Sequence, residues 1–327
     1  MRILPLLNLL LIQFTLLIGL SSIVALPVND RIRIIATIEP LALIARDIGG
    51  DLVEVATIVP AFIDPHVYVP KPKDRLLLEN ADIFVCVGRE EFLGYFEDIQ
   101  AIKLGWENWS SSMYMPGGNP HYVWLYPSNA IVIARALYMT LSIIDPWRKE
   151  YYRYRFEQFN KSISAISGWI KNCKSIYRLD GLKVALAGSH MEPLLDYMGI
   201  EIAGILVRGE RTVAPRDITE FRELARSTDA IIVHLLEYEL DEGRIASEIS
   251  KDVGVPIVVF NPLPTGYEDS YIEYIKIVSY GLIVSLANVK LGYFREGYHS
   301  MQYIPLLATA IFILILTITF RRYRGAG

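Results

Sequence analysis

The chain has 327 residues, with 32 lysines and arginines against 36 aspartates and glutamates and a formal charge of −4. That balance excludes the basic surface with which nucleic-acid-binding proteins displace counterions from phosphates, and it tolerates or attracts cations. Two cysteines, Cys86 and Cys173, lie in separate apolar runs and read as packing residues, which excludes a disulfide framework and a cysteine-rich metal site.

In chain order, residues 1–25 carry one basic residue, Arg2, an apolar run to about Leu20 and then a small-residue stretch. This pattern predicts a secretory signal peptide or an uncleaved N-terminal anchor. Residues 31–126 follow as a first α/β lobe. Short β-branched runs at 32–38, 53–59 and 83–87 alternate with helical segments at 41–48 and 73–79, the signature of a parallel sheet with helical crossovers.

Two loops of this lobe share one grammar. In "VPAFIDPHVYVP" His66 stands behind Asp64-Pro65, and in "GGNPHYVWLYP" His121 stands behind Asn119-Pro120. Proline fixes its own φ, so each loop holds the backbone immediately before a histidine. Only five histidines occur in the chain, and two in the same setting imply a shared task.

Residues 127–177 form a linker region. It starts at Pro127-Ser128, a helix-start signal, has no glycine before Gly168, and is interrupted at Asp145-Pro146. A helix of about 25 residues would be close to 40 Å long, enough to join two lobes rigidly. The alternative is two separate helices packed within one lobe.

Residues 181–288 repeat the first plan as a second α/β lobe. Strand-like runs lie at 183–187, 201–207, 230–233 and 256–260, with helical segments at 192–198, 215–227 and 241–252. Past this lobe, residues 304–320 are 17 uncharged residues, barely enough to cross a hydrocarbon layer of about 30 Å as a transmembrane helix. The tail 321–327 carries Arg321, Arg322 and Arg324, which predicts a cytoplasmic C-terminus and an outer middle portion. His299 adjoins this membrane segment as an interfacial residue. Without its two ends the chain keeps 28 basic against 36 acidic residues.

Ligand sites in open parallel sheets gather beyond the carboxyl ends of the strands. His66, His190 behind "KVALAGS", His234 ending "DAIIVH" and Asn261 behind "PIVVF" all stand there, and His121 enters from the loop before the linker. If the sheets face each other, His66 and His121 meet His190 across a crevice. Neutral imidazoles suit a borderline cation such as zinc, each offering a lone pair at about 2.0–2.1 Å. Glu192 stands as an oxygen donor in place of His190, and His234 is open as a fourth ligand, an orienting group or a polar strand end.

These residues resemble the cluster A-I solute-binding proteins, the zinc and manganese receptors of ATP-driven importers. "IIATIEPLALIARDIGGDLVEVATIVPAFIDPHVYVPKPKDRLLLENADIFVCVG", "NPHYVWLYPSNAIVIARAL" and "VVFNPLPTGYEDSYIEYI" match the family's motifs in order, over roughly residues 31–286. The resemblance implies two α/β lobes with parallel sheets joined by one long rigid helix, with a metal between them. It also implies ligands at His66, His121 and His190. A fourth ligand, a carboxylate in the family, falls on Asn261 here.

An amide in place of that carboxylate leaves a bound dication its full charge unless Glu192, Asp64 or an external anion compensates. Imidazoles plus an amide or water favour Zn2+ over Mn2+, which prefers harder oxygen donors. The expectation is an extracytoplasmic, membrane-anchored, monomeric substrate-binding protein that hands zinc to an ABC permease with its ATPase and catalyses nothing. The alternatives are an adhesin or scaffold that keeps the fold without metal, and a zinc-dependent hydrolase, for which no H-E-x-x-H or G-x-S-x-G motif is present.

Overall fold

The structure is a computed structural model and describes residues 31–61, 63, 65–120, 122–209 and 211–292. The expected N-terminal segment, the transmembrane helix at 304–320, the basic tail, Asp64, His121 and His299 lie outside the described residues.

The first sheet is fully parallel, in the order β2 (Val53–Thr57), β1 (Ile32–Ala36), β3 (Ile83–Val85), β4 (Ile102–Leu104). Helix α1 (Glu39–Gly49) crosses from β1 to β2, α2 (Pro72–Glu79) from β2 to β3, and the single turn α3 (Trp106–Trp109) follows β4. Pro40 in its first turn pre-sets the helical φ of α1. Leu41, Leu43, Ile44 and Ile48 then bury its apolar stripe against the sheet.

The linker region is a helical hairpin. Helix α4 (Pro127–Ile144) stops at Asp145, and α5 (Lys149–Ile176) takes over after Pro146. A proline lacks the amide hydrogen that would continue α4, and it pushes the preceding residue out of the helical region; Asp145 sits at φ −129°, ψ 73°. The Tyr152 hydroxyl donates to the buried Asp145 carboxylate at 2.9 Å. Tyr138 on α4 stacks on Phe156 of α5 with centroids 5.4 Å apart, so the two helices run antiparallel. With 28 residues, α5 is about 42 Å long and alone has the reach to join the lobes.

The second sheet repeats the first order: β6 (Glu201–Ile205), β5 (Lys183–Leu186), β7 (Ala230–His234), β8 (Ile257–Phe260), all parallel. Helices α6 (Glu192–Tyr197), α7 (Pro215–Ala225) and α8 (Asp241–Val253) make its crossovers, and α9 (Tyr271–Lys290) follows. One face of this sheet packs α7 and α8 through Phe221, Ala246 and Ile249. Its other face shares a continuous core with α5, α9 and the first lobe.

Helix α9 is a second strut between the lobes. The Tyr271 amide at its start donates to Asp47 of α1 at 2.9 Å, and at its end the Lys290 ammonium donates to the Asp180 carbonyl at 3.3 Å. Among the described residues α4 and α9 are long and apolar enough to cross a membrane by length and composition. Both belong to the core, with Leu137, Tyr274, Ile275, Leu282 and Ile283 at 1% exposure or less.

Candidate metal centre

The carboxyl ends of both sheets open on the crevice between the lobes. Beside it Val59, Pro60, Ala61, Ile63 and Pro65 of the first lobe face Leu263 and Pro264 of the second around about 290 Å³, part of it open to solvent.

His66 sits in a single 3₁₀ turn, Pro65–Val67, that Pro65 opens. His190 sits in the turn Ser189–Met191 directly behind β5. Their rings, from opposite lobes, have centroids 5.9 Å apart. Two imidazoles sharing one zinc at about 2.0–2.1 Å have centroids about 5–6 Å apart, so the pair fits one cation. Among the described residues no group of three histidine, cysteine, aspartate or glutamate side chains is placed to hold an ion by itself. His121 falls outside that description.

The His190 ring is held from several sides. Its Nδ1 pairs with the Glu237 carboxylate, Tyr122 meets it edge-on at 4.6 Å, and the His234 ring lies 5.6 Å away. Tyr122 directly follows His121 in the chain and adopts a left-handed φ of 53°. For a bulky residue that is a strained conformation, of the kind found at ligand clamps. Gly188 lets the Glu237 side chain lie flat on the backbone, because a Cβ there would sit 2.6 Å from Oε2.

The remaining candidates are placed differently. His234 is 3% exposed, and its Nδ1 accepts the Leu236 amide at 3.1 Å. In the neutral ring the hydrogen is then on Nε2, so this tautomer orients neighbours rather than offering a lone pair to the crevice. Both oxygens of the buried Glu192 are taken by the Arg208 guanidinium at 2.6 and 2.8 Å, which commits its charge to an ion pair. Asn261 accepts the Leu263 amide through Oδ1 at 3.1 Å, a local turn bond.

A latch joins the two loops. The Asn119 amide, 6% exposed, donates to the Ser189 carbonyl at 2.8 Å, which ties the residue two before His121 to the residue before His190. Gly117, at φ 58°, approaches the Arg208–Glu192 pair so closely that a Cβ would lie 2.7 Å from the guanidinium. Cys86 donates weakly to the Leu104 carbonyl and burial pushes its thiol up to about 12; Cys173 is also buried, and both are packing residues.

Glu237 and Tyr122 escape the sequence reading. The available signal for Glu237 is its place three residues beyond the strand-end His234, in a chain that lacks a carboxylate at position 261.

The sequence profile of the family described as "Zinc-uptake complex component A periplasmic" (ZnuA) matches residues 34–281. A metal ABC transporter substrate-binding lipoprotein of Lactococcus lactis is 24% identical over 268 residues, 74% of this chain and 82% of its own length. The manganese ABC transporter substrate-binding lipoprotein PsaA of Streptococcus pneumoniae is 25% identical over 252 residues, 70% of this chain and 79% of its own. Among solved structures, a manganese-bound periplasmic metal-binding protein of Candidatus Liberibacter asiaticus superposes with a TM-score of 0.63 at 17% identity, covering 78% of this chain and 99% of its own.

Proposed function

Because the chain belongs to the periplasmic zinc-uptake component A family of metal ABC transporter substrate-binding proteins, we propose that it captures a divalent metal, zinc before manganese, between its lobes and presents it to an ABC permease driven by an ATPase. The observation that carries this reading is the 5.9 Å approach of the His66 and His190 rings from opposite lobes. His66, His121 and His190 supply the imidazoles, with Asn261 or water completing the shell, and no chemical step is involved.

Zinc is favoured because three of the proposed donors are imidazole nitrogens, whereas manganese prefers carboxylate and carbonyl oxygen. Each imidazole must be unprotonated to bind, so uptake weakens as the medium acidifies. The shared core and the two struts α5 and α9 leave little room for a wide hinge, so release depends on docking to the permease. Anchoring follows from the apolar segment 304–320 and the arginines behind it, which hold the receptor outside the membrane with a cytoplasmic C-terminus. The receptor acts as a monomer.

Thermal unfolding of the full-length chain against added Zn2+ and Mn2+ tests this. A ligand at a hundred times its dissociation constant stabilises by about 2.7 kcal/mol, a rise of several degrees, and zinc should produce it at lower concentration than manganese. An unchanged midpoint with both metals would support the scaffold reading and refute capture.

A further inference from the structure

The carboxylate of Glu237 stands out among the buried polar groups of the second lobe. The residue is 6% exposed, and its Oε2 has no hydrogen-bond partner among the described residues while Oε1 engages His190 Nδ1. Burying a carboxylate with one oxygen unsatisfied is costly, and the fold has been shaped to keep it there. Gly188, between β5 and the His190 turn, has no side chain where one would strike the carboxylate carbon at 2.7 Å.

We propose that Glu237 is the positioning residue of the metal site: by accepting the His190 Nδ1–H it fixes the tautomer and ring orientation that leave Nε2 as the lone-pair atom, and it supplies from behind the ligand the negative charge that the neutral Asn261 does not. This rests on the capture reading above. An ionised carboxylate only accepts hydrogen bonds, so the hydrogen of His190 is on Nδ1 while the pair is intact. A carboxylate behind an imidazole makes the opposite nitrogen a better donor, and losing such a partner costs metal affinity about 10–100-fold. His234 completes the arrangement in the reverse sense: its Nδ1 accepts the Leu236 amide, so in their neutral forms the two neighbouring rings carry their hydrogens on opposite nitrogens.

The test uses the full-length chain in detergent, with two readouts. In the metal-free protein, 15N chemical shifts of labelled histidine report the tautomer. His190 should be the Nδ1–H form in the wild type, become a mixture in Glu237→Ala, and shift the same way in Gly188→Ala, which keeps Glu237 but displaces it. Calorimetric titration with Zn2+ alone should show affinity reduced 10–100-fold in Glu237→Ala and less in Glu237→Gln, which can still accept the bond but carries no charge.

A wild-type His190 in the Nε2–H form, or variants that bind zinc as tightly as the wild type, would overturn the positioning role while leaving metal capture standing. A wild type that binds no zinc would overturn capture and, with it, the charge-compensating role. The tautomer measurement on the wild type decides the positioning even where a variant does not fold.

Discussion

The two sheets share one strand order, yet they present their histidines in different ways. In the first lobe His66 lies nine residues beyond the end of β2, half-buried in a single 3₁₀ turn that Pro65 opens. In the second, His190 lies four residues beyond β5 and is packed by Glu237, Tyr122 and the backbone at Gly188. The same topology therefore carries a closely packed histidine on one side and a less enclosed one on the other.

The largest effect that can break this contrast is ligand removal. His190→Ala should weaken zinc binding by more than the roughly hundredfold upper cost of an outer-sphere partner. His66→Ala should cost less, because its loop can offer water or another donor in its place. Equal losses, read by competition with a zinc chelator, would mean that the lobes contribute alike.

The next effect concerns the struts that hold the lobes in place. Burial raises the Asp47 carboxyl to about 7 from an ordinary 3.8, outweighing the Tyr271 amide bond and the nearby Arg155 and Arg46 charges that pull it down. A raised acid favours the folded state fully below pH 4, and that advantage is lost as pH climbs from about 4 to about 7. It amounts to at most about 4 kcal/mol. The thermal midpoint should fall between pH 5 and pH 8 in the wild type and fall less in Asp47→Asn, by differential scanning calorimetry. A parallel fall in both would remove Asp47 from the account.

The smallest effect sharpens the picture of the latch. Asn119→Ala removes one of two donors to the Ser189 carbonyl, which keeps the Glu192 amide, so the loss is that of one ordinary hydrogen bond, about 0.5–1.5 kcal/mol. Asn119→Asp should be at least as costly, because a carboxylate has no hydrogen to give and repels the carbonyl. Urea unfolding of both variants checks the order, and an undisturbed aspartate variant would deny the latch.

Much of the fold is legible in the chain because its signals are local. The β-branched runs around Ile34, Val55, Val184 and Ile231 form strands, and Pro146 ends α4 where the sequence interrupts it. Strand β4 is not legible, being three residues with Lys103 in the middle and two of the three exposed. The role of α9 as a strut is hidden because it depends on Asp47, 224 residues earlier in the chain than Tyr271. At the site, His66 and His190 could be paired from their strand-end settings. Glu237 could not, since its meaning comes from a contact 47 residues away and from a glycine whose missing side chain makes space. Asn119 carries a hint in hindsight: an amide at that position can donate to a carbonyl, and a carboxylate cannot.

X-ray absorption spectroscopy of the zinc-loaded protein tests the central claim most directly, that one ion is held by imidazoles from both lobes. The account predicts a nitrogen/oxygen shell at about 2.0–2.1 Å with no sulfur, with imidazole scattering that declines by one ring in His66→Ala and by one ring in His190→Ala. A shell that either substitution leaves unaltered would contradict it.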